Sequence, residues 1–270
     1  MGTITPKAQS GNPKPRLFRL SSENALINRM GFNNDGVETI LKRIKRYKGK
    51  LIIGANIGKN KSTPIDNSAD DYLYCFKKLR NFVNYFVINI SSPNTPGLRK
   101  LQSKNYLNKL IETIQKENCS KKTIVPVLIK IAPDLSFKEI DDIIEICLKH
   151  NIDGIIATNT TLSRKNITSN YLAEEGGLSG NPIKERSNKI ITSTLKLIGA
   201  LKLALNASRS IFRRSFLDLS QSILHFSLFL TTSQRLRPVT SLAILIPGPF
   251  SVCFKLVTYR SEEHTSELQS

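Results

Sequence analysis

No C-x-x-C pair, no glycine-rich phosphate turn and no block of five like charges occurs in this sequence of 270 residues. Each absence removes a class of function. The four cysteines, Cys75, Cys119, Cys147 and Cys253, are far apart, and His150, His225 and His264 are equally isolated. Scattered thiols of this kind fit a reducing compartment and provide no metal frame, so no metal site is expected. Neither G-x-G-x-x-G nor G-x-x-x-x-G-K-[ST] is present, which argues against a dinucleotide fold or a P-loop. No G-x-S-x-G elbow or neighbouring histidine accompanies Ser91 or Ser92, so a hydrolytic triad is unsupported. Forty Lys and Arg against 21 Asp and Glu give a formal charge of +19, but the acids are interspersed and no aromatic-basic pattern follows. That is the composition of a lysine-rich solvated surface, and no nucleic-acid partner is expected. Met1 leads into a polar, proline-containing segment rather than a signal peptide. The longest uncharged stretch, Pro238 to Phe254, is broken by Pro247, Gly248 and Pro249 and makes a poor spanning helix.

With 40% hydrophobic and 23% charged residues, the chain can bury one sizeable core. From about residue 35 to 198, helix and strand signals alternate. Val37, Ile40, Leu41 and Ile44 mark a helix with Asp35 as its cap and Gly49 past its end, followed by a strand over Leu51 to Gly58. Tyr72, Phe76, Leu79 and Val83 mark the next helix, and Tyr85 to Ser91 the next strand. Leu107, Leu110, Ile111 and Ile114 precede a strand over Ile124 to Ala132. Ser136 and Glu139 form a capping box for a helix carrying Ile140, Ile143, Ile144 and Cys147, and Asp153 to Thr161 follows as a strand.

Short, doubly apolar strands separated by single helices are the pattern of parallel βα units buried on both faces. A barrel and an open doubly wound sheet both produce it. Asn56, Asn89, Lys130 and Asn159 fall at or near the C-terminal ends of four different strands, the ends that converge in a (β/α)8 barrel, so the barrel is favoured. Asp134 is the single acid near these ends, so neither a magnesium site nor a carboxylate pair is supported. Asparagine presents a donor beside an acceptor, which matches the edge of an amide-rich heterocycle such as a ureide or a flavin. Lys130 lies in an apolar strand and either faces an anionic ligand, pairs with Asp134 or snorkels to solvent. Pro96 and Gly97 fit a type II turn, which leaves Asn89, Ser91, Ser92 and Asn94 without a structural role.

These stretches resemble one family. INRMGFNNDG (Ile27 to Gly36), IGANIGKNK (Ile53 to Lys61), NISSPNTPGLRKLQ (Asn89 to Gln102), IKIAPDLS (Ile129 to Ser136), IIATNTT (Ile155 to Thr161) and GGLSGNPIK (Gly176 to Lys184) together look like dihydroorotate dehydrogenase. The serine in SSPN, where the soluble class carries cysteine, points to the quinone-linked class. The resemblance implies a TIM-type (β/α)8 barrel with FMN as cofactor, dihydroorotate oxidised to orotate in pyrimidine (UMP) synthesis, and quinone as the electron acceptor. It implies Ser92 as the base for the C5 proton, with the C6 hydride passing to flavin N5. Asn28, Asn89, Asn94, Asn159 and Thr160, with Arg29, Met30, Gly31 and Phe32, match the substrate-binding positions. Thr3, Asn56, Asn89, Lys130, Thr158 and Gly180 match flavin contacts, with Lys130 facing the charge that builds on the reduced ring. The whole enzyme would associate peripherally with a membrane, the cytoplasmic side of a bacterial inner membrane or, alternatively, a mitochondrial inner membrane.

The resemblance fails at both ends. The chain opens where the family reaches the end of its second barrel strand, so Met1 is expected to be an internal residue or a misassigned start, and the quinone-receiving helices and first strand are expected to be missing. Residues 1–198 then form a partial FMN-binding β/α barrel. Residues 199–259 depart from the family, with eight Lys or Arg, one acid and nine serines between Gly199 and Arg260, as a shifted frame or foreign segment would. Residues 260–270, RSEEHTSELQS, resemble a translated sequencing adapter. With the first and last two strands absent, the barrel is incomplete and this polypeptide is expected to be inactive by itself. The alternative is a non-enzymatic interaction protein with a basic C-terminal tail.

Overall fold

The computed structural model describes residues 1–165, 167, 168, 170–210, 241–245 and 257–259, with side chains described up to residue 200. It holds two sheets. The larger contains β3 (Gly54–Ile57), β4 (Tyr85–Asn89), β5 (Val127–Ile131) and β6 (Gly154–Ala157), parallel and adjacent in that order. Between them run α1 (Gly36–Arg46) before β3, then α2 (Ser68–Leu79), α3 (Lys104–Cys119) and α4 (Phe137–Lys149). The parallel α/β unit expected from the alternation is therefore present. On the outer side of β3 the chain start supplies a parallel bridge, Ile4 to Ile57.

Strand period fixes what faces inward. Successive side chains alternate, so Tyr85, Val87 and Asn89 share one face of β4 while Phe86 and Ile88 share the other. The outer residues join the main core, in which Phe86, Ile88, Val127, Ile129, Ile131 and Ile155 meet Leu79, Ile111, Ile143 and Cys147 from the helices. Each such side chain contributes roughly 1.5–3 kcal/mol by leaving water. On the inner face Val87, Leu128 and Ile156 form a small cluster of their own. Asn89 pairs with Lys130, and Lys130 with Ile156, so these two polar residues stand side by side above that apolar floor.

The strands are shorter than their apolar runs. Leu51 and Ile52 are 73% and 79% exposed because, among the described residues, no strand lies beside them; Ile53 instead bonds to Asn84. Ile124 is likewise exposed, and Pro126, lacking an N–H, precedes the first paired residue, Val127. The capping box of Ser136 and Glu139 is formed in full, with Ser136 Oγ accepting from Glu139 N at 3.3 Å and Glu139 Oε2 accepting from Ser136 N at 2.7 Å. Asp35, expected as a cap for α1, makes no cap bond; its carboxylate pairs with Arg43 at 2.6 Å, and Asn34 Oδ1 takes the Gly36 N–H instead.

A second sheet was not expected from the sequence. β1 (Leu17–Leu20), β2 (Ala25–Asn28) and β7 (Gly177–Gly180) form an antiparallel three-stranded sheet with a core of Phe18, Leu20, Ala25, Ile27, Ile167 and Leu178. It brings Asn28 opposite Gly177. Gly180 has φ +97°, and a Cβ there would strike the Asn24 carbonyl, so only glycine fits this crossing. α5 (Asn181–Ser210) follows and runs through residue 199, where the family resemblance was expected to end. Beyond it, β8 (Ser241–Leu245) pairs antiparallel with β6, and β9 (Val257–Tyr259) antiparallel with β8. Most of residues 199–259, and all of 260–270, lie outside the described residues, as does most of the stretch Pro238 to Phe254. Among the described residues no helix is long and apolar enough to cross a membrane.

Candidate active site at the strand ends

A chain of hydrogen bonds joins the ends of the inner strands. The Thr3 hydroxyl donates to Asn56 Oδ1 at 3.3 Å and accepts from Asn89 Nδ2 at 3.1 Å. Asn89 Oδ1 accepts both the N–H and the hydroxyl of Ser91, each at 3.3 Å. Ser91 Oγ in turn accepts from Asn159 Nδ2 at 3.0 Å, and Asn159 Oδ1 accepts the Thr160 N–H at 2.8 Å. Four expected flavin or substrate residues, Thr3 beside β3 and Asn56, Asn89 and Asn159 at or near the ends of three different strands, are thereby brought into one network. Ser91, which the sequence singled out without a role, is its centre and is fully buried.

A second cluster lies beside it. Ser92 Oγ accepts the Asn94 N–H at 3.3 Å, and Asn94 Nδ2 donates to both the backbone and side-chain oxygens of Asn28 at 3.0 Å. Gly177, across from Asn28, sits so close to Thr160 and Pro93 that a Cβ would overlap them. The small sheet is thus packed against the loops after β4 and β6. Pro96 and Gly97 form the expected turn: Gly97 has φ +68° and ψ −5°, and Leu98 N donates to Thr95 O at 3.2 Å.

Lys130 is 6% exposed, and among the described residues its ammonium has no hydrogen bond or ion pair. Asp134, its conceivable partner, is engaged elsewhere: it binds Arg99 at 2.6 Å, the Thr161 hydroxyl and the Leu162 N–H at 3.1 Å. A largely buried lysine whose ammonium has no partner among the described residues, beside partly free amides, suits an electron-rich planar ligand. The donor set therefore fits a flavin.

The remaining expected residues are placed as follows. Thr158 is buried, its hydroxyl 2.6 Å from that of Ser187 on α5. Met30 and Phe32 are buried; the Phe32 ring and the Thr3 methyl both close on Gly58. Gly31 gives its carbonyl to Gln9. The Arg29 guanidinium is directed to Glu174 at 2.9 Å, to the Pro15 carbonyl and over the Phe18 ring, so it serves the small sheet rather than the amide network. Gly180 lies where β7 enters α5, away from that network's bonds.

Several supporting residues were not singled out. Tyr72, read only as part of a helical apolar stripe, donates its hydroxyl to Asn89 O at 2.8 Å, and burial raises its phenol so that it stays a donor. Lys59 is buried with its ammonium on the carbonyls of Asn60 and Thr63, at 3.0 and 2.9 Å. Arg99 bonds three loops. A charged residue in an apolar or glycine-rich stretch was the available signal for the last two. Thr95 Oγ1 and Thr194 Oγ1 are buried without a partner among the described residues.

Parallel βα units with polar groups gathered at the C-terminal strand ends define the class of barrel-type α/β enzymes with a strand-end site. Within that class the comparisons are specific. The family model for dihydroorotate dehydrogenase matches residues 1–203, and the chain belongs to that family. It is 54% identical over 191 residues to the dihydroorotate dehydrogenase (quinone) of Christiangramia forsetii, covering 71% of this chain and 56% of that protein. The corresponding protein of Idiomarina loihiensis is 47% identical over 202 residues, 73% of this chain and 60% of the relative. Solved structures of DHODH from Eimeria tenella, ligand-free and in complex with ferulenol, superpose with TM-score 0.68 at 39% identity and cover 73% of this chain. They are themselves covered to 61% and 59%, so the chain spans less than two thirds of the relatives it matches.

Proposed function

We propose that the strand-end network binds FMN and dihydroorotate, and that the whole enzyme oxidises dihydroorotate to orotate with quinone as acceptor, in pyrimidine synthesis. The observation that carries this is Lys130: a buried lysine whose ammonium has no protein partner among the described residues, directly across from Asn89 on the inner face. Bound flavin would supply the acceptor for the hydride. The chain's own residues supply position and proton handling. Thr3, Asn56, Asn89, Lys130, Thr158 and Gly180 are the flavin-side groups in this reading. Asn28, Asn94, Asn159 and Thr160, with residues 29–32, serve the pyrimidine, Arg29 through its backbone alone.

Ser92 is the proposed base. Its Oγ receives the Asn94 N–H, which fixes the hydroxyl beside the Asn28–Asn94 pair. A hydroxyl is a weak base, so it acts through alignment and exclusion of water and must release its own proton as it accepts one. Peripheral association with a bacterial inner membrane, or a mitochondrial one, accompanies the use of quinone in this reading.

The barrel is proposed to be incomplete in this polypeptide. In support, β8 runs antiparallel to β6 where closure requires a parallel strand, and among the described residues no strand pairs with the outer side of β3, which bonds only to the short segment Met1 to Ile4. We assign residues 1–198 to the partial FMN-binding barrel, 199–259 to a divergent segment and 260–270 to an adapter-derived tail; the family match to residue 203 supports a boundary near there. On this assignment the chain alone turns over little or no substrate.

The test is Ser92→Ala in a complete enzyme carrying this site. Anaerobic mixing with dihydroorotate should show flavin reduction slowed by about 10²–10⁴-fold with flavin still bound. Equal rates would remove Ser92 as the base.

A further inference from the structure

We propose that Arg99 is a positioning residue, one guanidinium that sets the spacing between the loop carrying Ser92 and the loop carrying Asn159. The proposal rests on the reading of those loops as the flavin and pyrimidine site. Arg99 lies in the short helical turn Leu98–Gln102 that follows the type II turn. Its Nε donates to Ser91 O at 3.0 Å, its Nη2 to Thr160 O at 2.8 Å and its Nη1 to the Asp134 carboxylate at 2.6 Å. Three loops, after β4, β5 and β6, thus meet on one planar group.

The bonded atoms lie next to the chemistry. Ser91 O belongs to the peptide bond whose nitrogen is that of Ser92. Thr160 O lies one residue past Asn159. The contact between Asn159 Nδ2 and Ser91 Oγ, at 3.0 Å, exists only while these loops keep their separation. Two neighbouring contacts reinforce the fork. Asp134 also accepts from Thr161 and Leu162, and Gln102 Oε1, from the same turn as Arg99, accepts the Ala132 N–H at 2.8 Å. Lysine cannot replace this geometry: a single ammonium keeps the charge beside Asp134 but has no planar fork to span two carbonyls.

A merely structural arginine offers a control. Arg80 donates to Thr123 O at 2.7 Å and Glu117 O at 3.5 Å near the opposite, N-terminal ends of β4 and β5. Its loss should lower stability without touching the strand-end loops.

The experiment uses the full 270-residue chain with FMN present and orotate as the probe. Arg99→Ala should weaken orotate binding about 10–100-fold and Arg99→Lys about 5–20-fold, the scale expected when reacting groups are misplaced by about an ångström. Arg80→Ala should leave the affinity within about twofold, and added guanidinium ion should restore part of the binding lost in Arg99→Ala. In hydrogen exchange, Arg99→Ala should deprotect residues 89–97 and 158–164 together. Unchanged orotate affinity in both Arg99 variants would overturn the proposal, and so would deprotection confined to residues 97–103. Absence of orotate binding in the unsubstituted chain would count against the reading of the site, while the exchange result would still decide whether Arg99 couples the two loops.

Discussion

Replacing Lys130 by methionine should stabilise the flavin-free chain while weakening flavin binding. Lys130 as a whole residue is 6% exposed and stands above Val87, Leu128 and Ile156, and its ammonium, which keeps some solvent contact, has no acceptor among the described residues. Removing a buried charge of this kind relieves a desolvation penalty of several kcal/mol, part of which solvent contact already offsets. A gain of about 1–3 kcal/mol is expected, since methionine fills the space of the aliphatic stem. For a folded unit of this size each kcal/mol moves Tm by about 2–4 °C, so thermal unfolding of the flavin-free chain should shift upward by roughly 2–12 °C. Titration with FMN, followed by quenching of flavin fluorescence, should show the opposite: weaker binding in the variant. A lower Tm, or an unchanged FMN affinity, would refute the argument that Lys130 is held unpaired for a ligand.

Ser136→Ala removes the hydroxyl half of the capping box on α4, leaving the bond from its own backbone N–H to Glu139, and should cost about 1 kcal/mol in urea unfolding. Thr194→Val deletes a buried hydroxyl that has no partner among the described residues, with little change of shape, and should raise stability by about 0.5–1.5 kcal/mol in the same assay. His150 is half-buried beside Asn108; burial, then the neighbouring Lys149, lowers its pKa, with Glu112 opposing. A lowered folded pKa means its contribution is intact above the ordinary value of about 6.5 and is lost as pH falls through that value towards the folded one. The parent should therefore lose stability relative to His150→Gln as pH falls below about 6.5, as measured by unfolding at each pH.

Local chemistry was readable in the sequence and long-range geometry was not. The capping box and the Pro96-Gly97 turn depend on residues three apart, and both formed as their residue types dictate. The parallel strands followed from helix and strand periods, although Pro126 and the unpaired edge at Leu51 and Ile52 shortened them. The hairpin of β1 and β2 was not legible, because four-residue segments carry little periodic signal and its third strand lies some 150 residues away in GLSG. Among the site residues, the amides could be named, but their junction through Ser91 could not, since Asn89 and Asn159 meet only through strand register. Asp134 illustrates the same limit: sequence proximity made it a partner for Lys130, whereas the fold gives it to Arg99 and Thr161.

The most direct measurement is a difference spectrum of the flavin's visible band when orotate is added to the chain in the presence of FMN. The account predicts a saturable change corresponding to one orotate per chain, lost in Asn89→Leu and in Asn159→Leu. No change, or a change that survives both substitutions, would contradict it.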